Sequence, residues 1–89
     1  MEMLKNQYQV HPDAFSTKID NQVVILQYET GTYFTLNEVG TNIWQLLEQG
    51  QTLQEILDHL AQEYDVGRER LQQDISILIK KLEEKGLIL

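Results

Sequence analysis

The hydrophobic period of this chain changes once, and that change constrains the fold more than any other feature. Up to Leu36 the apolar residues alternate or run in short β-branched blocks; after Asn37 they recur at three- and four-residue intervals. Val23-Val24-Ile25-Leu26, extended by Gln27 and Tyr28, is the clearest strand, with turn-forming Asp20-Asn21 before it and Thr30-Gly31 after it. Residues 15–19 supply the strand before and residues 33–36 the strand after, giving a three-stranded antiparallel meander. Pro12 cannot donate to a ladder and argues against a longer first strand.

The remainder reads as three helices. Asn37 is the expected N-cap of the first, which carries Val39, Ile43, Leu46 and Leu47 on one face and stops at Gly50. Thr52-Leu53-Gln54-Glu55 has the form of a capping box, and Leu53, Ile56, Leu57, Leu60, Ala61 and Tyr64 then follow helical spacing. A hydrophobic staple is expected between Val66 and Leu71 across a Gly67 cap. Gly86-Leu87 suits a Schellman stop, with Leu87 against Leu82. The stripe expected between these ends is Leu71, Ile75, Leu78 and Leu82, with the apolar tail Leu87-Ile88-Leu89 folded back on the body. Strands followed by helices define an α+β class, and two short helices leading into a longer one resemble a winged helix-turn-helix. Residues 12–89 read as a single domain; residues 1–11 read as a separate N-terminal segment, either disordered or laid over part of the sheet.

Composition narrows the function. At 89 residues, about 60–65% of the unfolded surface is buried on folding, which leaves little material for a deep substrate pocket. The absence of cysteine excludes disulfides, thiolate catalysis and cysteine-ligated metals, and fits a reducing compartment. With no apolar run of signal-peptide or membrane-span length, a cytoplasmic protein is expected. Residues 1–67 hold two lysines against ten acids (−8), and residues 68–85 hold five basic against four acidic residues (+1). An acidic body weighs against binding phosphate backbones and favours a neutral or basic partner.

The usual constellations of catalysis are missing. His11 and His59 lie on different elements without HxxxH or HExxH spacing, Ser16 and Ser76 have no nucleophile-elbow context, and the glycines stand singly at turns and helix ends. Neither an enzyme nor a cofactor or metal site is expected. Trp44 is read as a core residue joining helix to sheet rather than a ligand anchor, with Gly40 leaving room for close packing at the helix start.

Two features point elsewhere. The third strand, Tyr33-Phe34-Thr35-Leu36, is an edge in a meander, and it lacks the lysine, proline or inward charge that blunts such an edge. It is either shielded by a helix or open to pairing. On the third helix Arg70, Asp74, Ile77 and Lys81 project as a strip flanking the core stripe. Together an open edge and that strip could line a groove for an extended peptide.

The stretch from Gly31-Thr32-Tyr33-Phe34-Thr35-Leu36-Asn37 through Gly40, Ile43-Trp44, Leu46-Leu47 and Gly50 resembles the PqqD-like proteins, also called RiPP recognition elements. The resemblance continues through Ile56, Leu60, Tyr64-Asp65-Val66, Asp74-Ile75, Leu78-Ile79, Leu82 and Gly86-Leu87, covering residues 12–89. Its "G-x-Y-F-x-L-N" segment is closer to the free-standing subunits of lasso-peptide pathways than to the member serving pyrroloquinoline quinone synthesis. The resemblance implies a winged-helix-like domain that binds the leader of a ribosomally made precursor as a fourth strand. It further implies delivery of that leader to a leader peptidase, cyclase or other modifying enzyme. Strand pairing would fall to Tyr33, Phe34, Thr35 and Leu36, and the cleft to Arg70, Asp74, Ile77, Leu78 and Lys81. Asp74 matches the family motif directly; the other cleft residues follow from helical projection. A DNA-binding winged helix is disfavoured by the acidic surface, with Glu69, Asp74, Glu83 and Glu84 on the third helix itself. A subunit that contacts only other proteins is the remaining alternative.

Overall fold

The computed structural model describes residues 7–89. Residues 1–6, most of the segment expected to be disordered or to cover the sheet, lie outside the described residues. Strands β1 (Ala14–Ile19), β2 (Gln22–Gln27) and β3 (Thr32–Thr35) precede helices α1 (Glu38–Glu48), α2 (Leu53–Glu63) and α3 (Arg68–Glu84). This is the α+β order expected from the single change of period.

The sheet is antiparallel in the order β1-β2-β3. Ile19 pairs with Gln22 across a two-residue turn, where Asp20 takes φ 57°. A positive φ at the first central residue matches the right-handed twist of the strands it joins. Alternation along β2 sends Val23, Ile25 and Gln27 into the core and leaves Val24 and Leu26 half-buried on the other face. Helix α1 packs against β2, and α2 packs against both α1 and α3. Trp44 is fully buried in the resulting core with Ile25, Ile56, Leu60, Ile79 and Leu82, although its indole N–H finds no hydrogen-bond acceptor among the described residues.

The starts of α1 and α2 and the end of α3 are satisfied chemically. Asn37 Oδ1 accepts from Gly40 N at 2.8 Å, and the Thr52–Glu55 capping box closes reciprocally. At the end of α3, Leu87 N donates to Leu82 O and Gly86 N to Glu83 O, with Gly86 at φ 68°. That is the Schellman pattern, and the left-handed residue it needs is glycine. At the other end Gly67 makes no side-chain cap and Val66 stays 40% exposed, so the expected staple shields little.

Two sequence expectations are corrected. The buried stripe of α3 is Leu71, Ile75, Ile79 and Leu82, with Ile79 rather than Leu78 at its centre. The spacings 4-4-3 and 4-3-4 fit a helical stripe equally well, and only the packing partners select between them. Leu87 and Ile88 fold back as expected, but Leu89 remains 62% exposed. Residues 7–11 are hydrogen-bonded into the body: Val10 bridges Ile88, His11 N donates to Leu87 O, and Leu89 N donates to Gln9 O.

Candidate functional site

Two buried polar side chains hold β3 in place. Thr41 Oγ1 accepts from Val23 N at 3.0 Å, tying the start of α1 to β2 where Leu36 N donates to Val23 O. At the opposite end of β3, Gln27 Nε2 donates to Gly86 O at 2.8 Å and Gln27 Oε1 accepts from Glu29 N. The β2–β3 turn is therefore fastened to the end of α3. Strand and helix form the two walls of a groove whose floor comes from the start of α1.

The hydrogen-bond phase of β3 can be read from these contacts. In an antiparallel ladder alternate residues point both backbone groups at the same neighbour. Leu36 is bonded to Val23, so Phe34 faces Ile25 in the same way, while Tyr33 and Thr35 turn their N–H and C=O groups toward the free edge. No other described strand pairs with that edge. A strand left so open is a template for another strand.

The groove beside the edge encloses about 520 Å³. Phe34, Thr35 and Leu36 line it from β3; Asp74, Ile77, Leu78 and Lys81 line it from α3. Asn37, Val39, Gly40 and Ile43 complete it from the loop and α1. The approach of α1 depends on Gly40, since a Cβ there would lie 3.3 Å from Leu36 Cβ. Ile77 is 54% exposed, an apolar side chain kept in solvent at the groove wall. Lys85 Nζ stands 5.5 Å from the centroid of the Phe34 ring, a distance at which the ring quadrupole attracts the cation.

Of the nine residues expected to bind, seven are brought together here and two are not. Tyr33 pairs with Leu26 on the other face of the sheet and is 69% exposed; toward the edge it offers only its backbone. Arg70 is exposed one turn before Asp74 and does not line the groove. The α1 residues escaped notice because Val39 and Ile43 share the apolar face of Leu46 and Leu47. Their nearness in sequence to Leu36, the end of the open strand, was the available signal. Lys85 gave no such signal, since at the helix end it reads as an ordinary solvated charge.

Several polar groups away from the groove have structural work. His11 Nδ1 accepts from Asp13 N, and the exposed His59 lies 3.9 Å from Glu63. Arg68 donates to Asp58 at 2.6 Å, and that hydrogen bond, helped by Gln54, holds the Asp58 carboxyl below the ordinary range. Tyr64 is raised above the ordinary phenol value, chiefly by desolvation; Asn42 Nδ2 donates to its hydroxyl at 2.6 Å and ties α1 to the end of α2. Neither Asp58 nor Tyr64 lines the groove. No described helix is long and apolar enough to cross a membrane, and no described cluster of three or more His, Asp or Glu could hold a metal.

A three-stranded sheet followed by three helices, with a groove along the open edge, makes up a winged-helix-like domain. Residues 22–88 match the family described as coenzyme PQQ synthesis protein D, and the chain belongs to this PqqD family. It is similar to a solved chain described as TbiB1 in complex with the TbiA(beta) leader peptide. That match has 39% identity and a TM-score of 0.87 over 90% of this chain and 93% of that one. It is also similar to a lasso peptide synthetase B1 complexed with the leader peptide, at 28% identity and a TM-score of 0.88 over 94% and 99% of the two chains. No curated protein sequence matches the chain.

Proposed function

We propose that this protein captures the leader of a ribosomally synthesised precursor in lasso-peptide biosynthesis, by adding it as a strand to β3. The observation that carries this reading is the coincidence of the free backbone groups of Tyr33 and Thr35 with the groove beside them. It is supported by the similarity to two proteins solved with leader peptides. The side chains of Phe34, Leu36, Asp74, Ile77, Leu78 and Lys81 receive those of the leader, while Tyr33 and Thr35 supply the pairing.

The energetics divide the labour. Two outward-facing residues give about four backbone hydrogen bonds, each worth roughly 1 kcal/mol net. Association alone costs an estimated 4–15 kcal/mol, so the backbone cannot hold a leader unaided. One or two apolar leader side chains, each contributing about 1.5–3 kcal/mol on burial, must supply the remainder. Ile77, apolar yet exposed, and the half-buried Phe34 are the surfaces that gain.

The protein acts by binding, without chemistry of its own. Among the groove's polar side chains, Asn37 is spent as a helix cap, and neither histidine nor cysteine lines the groove. Its product is a positioned leader, presented in the cytoplasm to a leader peptidase or cyclase. The test is to titrate synthetic leaders, taken from short reading frames beside the gene, into wild type and into Phe34→Asp and Ile77→Asp. Saturable binding lost in both variants, with the fold intact, is the expected result. Binding that survives both substitutions refutes the groove, and failure of every neighbouring leader to bind wild type refutes the function.

A further inference from the structure

We propose that the groove reads charge order: it prefers a peptide carrying a cation, an apolar residue and an anion at alternate positions, in that order from N- to C-terminus. This deepens the leader-capture reading and rests on it. The groove has an acidic and a basic end. Asp74 lines it seven residues before Lys81, and Lys85 reaches the ring of Phe34 one turn further on. Among the described residues the two ion pairs are Arg68–Asp58 and His59–Glu63, so Asp74, Lys81 and Lys85 stand outside both.

The fold fixes which end is which. Gln27, paired with Thr32 at the start of β3, is bonded to Gly86, and Lys85 lies over Phe34. The basic end of α3 therefore sits at the start of β3, and Asp74 lies toward Leu36 and Asn37. A peptide added antiparallel, as β1, β2 and β3 already pair, would pass Asp74 first and the lysines last. Antiparallel pairing is also the more stable arrangement per residue.

The spacing follows from two rises. At 1.5 Å per residue Lys81 and Lys85 lie about 10.5 and 16.5 Å from Asp74 along the helix axis. A strand advances about 3.4 Å per residue and returns to the same face every second one, so positions i and i+4 are about 13.6 Å apart. With a cation at i beside Asp74, an anion at i+4 falls between the two lysines. The intervening i+2 side chain, about 6.8 Å along, comes down beside Leu78, which lies about 6 Å from Asp74 on the helix axis.

The test uses two synthetic peptides of identical composition in one strand-forming background, bearing Lys-x-Leu-x-Glu or Glu-x-Leu-x-Lys, with a natural leader as reference. The first is expected to bind about tenfold tighter at low salt, because two attractive pairs replace two like-charge contacts. The preference should shrink toward unity near about 1 M salt, where screening acts within about 3 Å. Reversing the groove (Asp74→Lys, Lys81→Glu and Lys85→Glu together) should invert the preference, and the neutral set (Asp74→Asn, Lys81→Gln, Lys85→Gln) should abolish it. Equal binding of both peptides, preference for the swapped one, or binding of the natural leader alone would each overturn the charge order and leave leader capture standing. Failure of the natural leader as well would remove the reading beneath it.

Discussion

Helix α3 carries two stripes under different demands. Leu71, Ile75, Ile79 and Leu82 are 0–3% exposed and join the core with α2, whereas Asp74, Ile77, Leu78 and Lys81 border the groove and leave Ile77 54% exposed. Both stripes obey the same periodicity. The first is held by contacts already made in the folded chain; the second, in the function proposed, has contacts still to make. Stability and binding should therefore separate along a single helix, and substitutions on the two stripes can break or sharpen that contrast.

The largest effect belongs to the core stripe. Ile79→Ala, at a position with no exposure, is expected to destabilise the domain by about 2–5 kcal/mol, read from urea denaturation. Ile77→Asp should instead shift stability by less than about 1 kcal/mol and weaken leader binding at least about tenfold, roughly the burial energy of one apolar side chain. If the two substitutions had equal effects on stability, the division between stripes would be wrong. Gln27→Leu comes next: it strands Gly86 O and Glu29 N, costing about 1–3 kcal/mol in stability while loosening the alignment of α3 with β3.

Trp44→Phe should cost far less than the roughly 3–5 kcal/mol of Trp44→Ala, because the indole N–H it deletes is buried without a partner. Smallest of all is the ion pair between α2 and α3. The depressed Asp58 carboxyl contributes above the unfolded-state value of about 4 and loses that contribution as pH falls through its lower folded value. The denaturation midpoints of wild type and Asp58→Asn should accordingly differ slightly near about pH 6 and draw together as the medium is acidified below the unfolded-state value.

Elements were readable in the sequence where one local rule governs a position. Asn37, Thr52 and Gly86 announce helix ends because capping depends on the residue and its immediate neighbours, and the Gly31–Gly50 signature is mostly such structural work. Leu36 is buried, Asn37 caps, Gly40 admits a close approach, Trp44 fills the core and Gly50 ends the helix. Leu78 and Ile79 could not be ranked, since adjacent apolar residues both fit a helical face until the neighbouring elements are known. For the same reason the site was only partly visible. Asp74, Ile77 and Lys81 share a projected strip, but Val39 and Ile43 join it only once α1 folds across the end of β3. Gln27, a polar residue ending an apolar strand, gave no sign that it would be buried against a carbonyl 59 residues away.

Strand addition makes a demand on individual backbone amides that no other mode of binding shares. In free protein the amides of Phe34 and Leu36 point at β2 and should exchange slowly, while those of Tyr33 and Thr35 face outward and should exchange quickly. Residue-resolved hydrogen exchange, recorded with and without saturating leader, reads this alternation directly. Selective slowing of Tyr33 and Thr35 on binding is the predicted result. A leader that saturates the protein and leaves both amides exchanging as fast as before would contradict strand addition to β3.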